Sequence, residues 1–115
     1  MMSEENRKDV LDSFLETIKW ISDTEYQKRA WIQGEPPGTD FDETVNYYSD
    51  GKWILENYKD FGISESQFQI LRKFDEQFRG FYENNNWPPA FINTPEWTKI
   101  TLMAKQVLEA FNYHK

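Results

Sequence analysis

Apolar residues recur along this chain at helical spacing, and the segments between those runs carry the residues that stop helices. Val10, Leu11, Phe14, Leu15, Ile18 and Ile21 form one stripe, which predicts a first helix over roughly residues 4–21. Ser22 followed by Glu25 has the spacing of a capping box. Continuing the first helix through residue 33 would turn Glu25 and Arg29 onto the apolar stripe. The pattern therefore predicts a break near Ser22 and a short second helix to about Gln33, stopped by Gly34. Residues 34–39, Gly-Glu-Pro-Pro-Gly-Thr, read as a loop.

Asp40 reads as an N-cap, opening a short helix with Phe41, Val45 and Tyr48 on one face and Asp50-Gly51 at its end. Another short helix carries Ile54, Leu55 and Tyr58, closed by Asp60-Phe61-Gly62-Ile63. Ser64 with Gln67 matches a second capping box. It precedes a helix over about 65–83 with Phe68, Ile70, Leu71, Phe74, Phe78 and Phe81 on one side. Asn84 to Pro89 reads as a loop. Thr94 caps a last helix, about 95–112, with Pro95 at its first position and Trp97, Ile100, Met103, Ala104, Val107 and Phe111 on its stripe. No segment alternates long enough to be a strand. The expected fold is all-α: a single domain, 1–115, forming an irregular bundle of five to six helices. Three longer helices make the frame and short ones pack across it.

Composition changes the picture of the core. Leu, Ile and Val together number 17, whereas Phe, Tyr and Trp number 20. The interior must be built largely from rings. Cysteine is absent, which removes disulfides and thiolate chemistry and fits a reducing cytoplasm. The N-terminal residues carry both signs of charge with no apolar run, unlike a signal peptide, and no span is long enough to cross a bilayer. The expected location is cytoplasmic, with no membrane partner.

Candidate chemistry is sparse. The single histidine, His114, lies next to last, a poor place for a general base or ligand. No glycine-rich phosphate loop occurs. Asp40-Phe41-Asp42-Glu43 begins like a calcium loop, but Val45 and Gly51 stand where that loop needs glycine and glutamate. These features predict no metal, no cofactor and no catalytic residue. Asp75 falls inside the apolar stripe of its helix, where it is expected at the solvated edge. The alternative is a carboxylate-dependent enzyme or small-molecule binder with Asp75 in an aromatic cavity.

The net charge of −7 disfavours nucleic acid, whose phosphates need a basic face. Charge is concentrated: residues 35–60 hold seven acids against two lysines. The same segment holds Phe41, Tyr47, Tyr48, Trp53 and Tyr58. With Tyr48 inward, helical geometry swings Tyr47 outward towards Glu43, with Asp50 following. The candidate partner-binding set is Asp42, Glu43, Tyr47, Asp50 and Trp53, an acidic face for a basic protein partner. Trp20 and Leu102 fall off their stripes. Each marks either a second contact surface, as in a homodimer, or a residue covered by a short helix.

Tyr47-Tyr48-Ser49-Asp50 between acid-rich short helices resembles the helical immunity proteins of bacterial nuclease toxins. The resemblance covers about residues 40–55 and lacks the proline that commonly follows the tyrosine pair. It implies a non-enzymatic inhibitor that binds a basic toxin, with Tyr47, Tyr48 and Asp50 as contacts. The helix phase instead assigns Tyr48 to the core.

Overall fold

The computed structural model describes residues 3–36 and 38–113; His114 lies outside them. Helix α1 spans Glu4–Ser22, with the Ser3 hydroxyl accepting the Asn6 N–H and Glu4 and Glu5 favourably placed at the positive end of the helix dipole. Asp23 then takes an extended conformation and ends α1 while its carboxylate accepts the Tyr26 N–H at 3.1 Å. The cap of the next helix is thus Asp23 and not the Ser22–Glu25 pair that the sequence suggests. Ser22 is buried and donates its hydroxyl to the Lys19 carbonyl at 2.7 Å, so it is committed to α1.

Helix α2, Thr24–Gln27, runs on as a π-helical turn, Lys28–Ile32, which widens the coil by one residue. Gly34 follows at φ +68°, a conformation that favours glycine. The loop after it is tied down from α2. The Tyr26 hydroxyl accepts the Thr39 N–H at 2.8 Å, and the Thr39 and Thr44 hydroxyls lie 3.0 Å apart.

Helix α3, Phe41–Gly51, is capped by Asp40, whose carboxylate accepts the Glu43 N–H at 2.8 Å. It buries Phe41, Thr44 and Tyr48. Helix α4, Trp53–Glu56, and a 3₁₀ turn, Tyr58–Phe61, lead to Gly62 in the left-handed region. Helix α5, Glu65–Tyr82, opens with the predicted capping box between Ser64 and Gln67. Helix α6, Pro88–Phe91, lies partly where the sequence suggests only loop. Proline is tolerated in a first turn, where N–H groups lack helical partners anyway. Buried Phe91 supplies the packing that holds this turn in place. Helix α7, Pro95–Ala110, is capped by the Thr94 hydroxyl.

The three long helices form the frame: α1 packs against α7 and α3, and α5 packs against α7. The fold is therefore the expected all-α bundle, and no strand occurs among the described residues. Its centre is a cluster of rings around Trp97, which is fully buried. Phe91, Phe81 and Trp31 lie with ring centres 4.9, 5.2 and 5.8 Å from it. Phe78 joins this cluster to a second one, in which Tyr48 meets Phe78 at 5.0 Å and Phe14 at 5.1 Å. Edge-to-face and offset geometries of this kind add to the area each ring buries.

Gln27 is a polar member of this interior and is fully buried. Its amide donates to the carbonyls of Trp20 and Ile21 at 2.9 and 2.8 Å, and its carbonyl oxygen accepts the Trp97 indole N–H at 2.9 Å. Gln27→Leu should destabilise the protein by about 1–3 kcal/mol, because near-isosteric replacement leaves the indole donor unpaired. Urea unfolding of the two proteins checks this, and an unchanged midpoint would show that the amide is dispensable.

Candidate functional site

An open groove of about 700 Å³ runs between α1 and α3. Its α1 wall follows from helical periodicity. While Phe14, Leu15, Ile18 and Ile21 face the core, Asp9, Asp12, Ser13, Glu16 and Trp20 recur at the same spacing on another face. The opposing wall carries Tyr47 and Asp50 from α3 and Trp53 from α4. Val10, Phe14, Thr17 and Gly51 also line it, and Tyr113 contributes from the segment after α7.

Gly51 brings the two walls together. A Cβ there would overlap the Phe14 ring, so only glycine lets α3 approach α1 this closely. Gly51→Ala should cost about 1–3 kcal/mol by overpacking. Adding Phe14→Leu should recover part of that loss in a double-mutant cycle of thermal unfolding. Strict additivity would mean that the Gly51–Phe14 contact does not set the spacing.

Aromatic groups on both walls are braced by second rings. Trp20 stacks on Tyr26 at 5.7 Å and meets Tyr47 edge-on at 6.1 Å. Trp53 meets Phe61 edge-on at 5.2 Å. Tyr47 and Trp53 nevertheless keep 53% and 39% of their surface exposed. Trp20 is half-buried: a short helix covers it, through the stacking on Tyr26 of α2, and its remaining surface lines the groove. Leu102 is 54% exposed on α7 and lies in a separate shallow depression with Met103 and Thr98.

The groove is acidic. Asp9, Asp12, Glu16 and Asp50 line it, and no lysine or arginine does so among the described residues. The Tyr113 hydroxyl donates to Glu16. Burial, followed by that bond and the charges of Glu16 and Asp12, raises the Tyr113 pKa well above the ordinary tyrosine value. Among the described residues, no three carboxylates or imidazoles converge closely enough to hold a metal ion.

Of the residues singled out in the sequence, Tyr47, Asp50 and Trp53 come together in this groove. Asp42 and Glu43 are exposed on the first turns of α3 but do not line it. The α1 wall lies outside the segment that the charge pattern singles out, although the spacing of Asp9, Asp12, Glu16 and Trp20 carries a signal for it. Tyr48 is fully buried and cannot be the surface contact that the immunity-protein resemblance implies.

Asp75 corrects a second expectation. It is buried at 7% exposure and not at a solvated edge. It accepts the Tyr48 hydroxyl at 2.7 Å and lies 3.7 Å from the Arg79 guanidinium. Asp75 does not line the groove; it belongs to a polar link between α3 and α5. Burial first, then the charge and hydrogen bond of Asp75, hold the Tyr48 pKa well above its ordinary value of 10.0. The neutral hydroxyl is therefore favoured in the folded state. Its contribution to stability is complete below pH 10.0 and is lost as pH rises through the raised value. Tyr48→Phe should destabilise by about 1.5–3 kcal/mol at neutral pH. It should also flatten the alkaline fall in stability, and chemical denaturation at a series of pH values reads both. An alkaline limb of unchanged slope in the variant would assign that fall to other tyrosines.

No protein-family model, curated protein or solved structure matches this chain significantly.

Proposed function

We propose that this protein is a non-enzymatic binding module that takes a basic partner protein on its acidic, tyrosine-containing face, in the manner of an immunity or antitoxin-type inhibitor. The observation that carries the reading is the juxtaposition of Tyr47, Asp50 and Trp53 with the α1 carboxylates in one open groove. Exposed rings beside like charges are costly surface for a protein with nothing to bind, and they suit a basic partner on two counts. The carboxylates steer its approach, and the rings supply buried contact area once it has docked. Inhibition would then work by occlusion, with no reaction performed by this chain.

The test is a pull-down with the tagged protein from its native cell lysate, at low and at high salt, with captured proteins identified by mass spectrometry. The expected result is one stoichiometric basic partner whose association slows, and depends less on salt, when Glu43→Lys and Asp50→Lys are combined. Unchanged binding kinetics in that double variant would remove the acidic face from the interaction.

A further inference from the structure

We infer that the groove between α1 and α3 reads arginine: it docks an arginine-bearing segment of the partner, with the guanidinium laid between aromatic faces and carboxylates. This inference rests on the reading of the protein as a module for a basic partner, and it names the side chain that the module selects.

The choice of occupant follows from charge and shape complementarity. Asp9, Glu16 and Asp50 make the described lining acidic, which favours a cationic segment over an anionic one. The lining is also largely apolar, because Val10, Phe14 and Gly51 lie between the charged positions. A cation entering here must give up water. Arginine does so more readily than lysine, since guanidinium is the more weakly hydrated ion. Trp20, Tyr47 and Trp53 offer ring surface, and guanidinium stacks on rings as well as attracting them as a cation. Asp50 and the α1 carboxylates lie on facing walls, and a planar fork of N–H donors can address a carboxylate through two parallel bonds. Lysine satisfies the charge and is attracted to the rings only as a point charge; arginine adds planar stacking and the fork.

The bracing of the rings argues the same way. Trp20 packs on Tyr26, and Trp53 on Phe61, so the fold itself orients both rings. Prearranged faces favour a flat, rigid group over a flexible ammonium chain.

The experiment is a titration of the isotope-labelled full chain, followed through the indole N–H signals in nuclear magnetic resonance. Trp20 and Trp53 report on the groove. Trp31 and Trp97, buried in the core, and Trp87, exposed outside the groove, serve as controls. The probes are a short peptide alternating arginine with glycine, its lysine counterpart and spermidine. The arginine peptide should shift Trp20 and Trp53 saturably while the controls stay still. The lysine peptide and spermidine should bind several-fold more weakly. Combining Glu16→Gln with Asp50→Asn should weaken the arginine peptide by roughly tenfold, the equivalent of one charge-assisted hydrogen bond. Both positions are on the groove walls, and glutamine still offers Tyr113 an acceptor, so the fold should be retained.

Equal shifts from all three probes, or movement of Trp87 with the others, would reduce the groove to a diffuse counterion zone and overturn the inference. Absence of any shift would overturn it outright. A salt-sensitive partner found by pull-down despite that absence would leave the binding module standing, with its contacts on α3 outside the groove. Arginine binding with no protein partner in the lysate would uphold the groove chemistry and defeat the proposed function.

Discussion

Gln27 closes α2 and reaches back to the end of α1, where its amide meets three partners. The last carbonyls of a helix have no partner within it, and burying them unpaired is expensive. Here the Gln27 amide donates to the carbonyl of Ile21 and joins the Asp23 N–H at the carbonyl of Trp20, standing in for the missing turn. The other end of the same amide receives the indole of Trp97. One side chain therefore fixes the angle between α1 and α2 and locates the central ring of the core. The position of Trp20 follows from that angle, since its ring lies on Tyr26 of α2 and continues to the groove.

Most of the fold is legible in the sequence because most of it is governed by local rules. Ser64 and Gln67 form the expected capping box, Asp40 and Thr94 open their helices, and Gly62 closes its turn, each where its chemistry dictates. What the sequence hides depends on tertiary partners. The Pro88–Phe91 turn is helical only because Phe91 is buried among Phe41, Phe81 and Trp97. Asp75 is read as solvated from its own helix alone, whereas its burial depends on the hydroxyl of Tyr48, from a different helix. The π-helical turn at Lys28–Ile32 has no local signature and places Ala30 and Trp31 in the core.

The candidate site divides along the same line. Tyr47 points outward because Tyr48 must point inward, a consequence of helical phase that needs no structure. That α1 supplies the facing wall cannot be read from residues 35–60, whose charge density draws attention away from the more even composition of residues 4–21. Each wall taken singly is an ordinary wet helix face. Only the close approach permitted by Gly51 turns the two into one concave surface, in which carboxylates and rings act on the same volume.

The pairing of α1 with α7 has a kinetic consequence during synthesis. Helix α1 packs against α7, which is synthesised some seventy residues later, so the buried face of α1 cannot reach its final surroundings until α7 has emerged. At about 5–20 residues per second, that leaves an apolar stripe uncovered for several seconds. Contacts spanning so much of the chain also slow the folding search itself. The groove needs α1, α3 and Tyr113 together, so it is complete only after translation has passed that tyrosine. A chain not yet translated past Tyr113 therefore offers no finished groove.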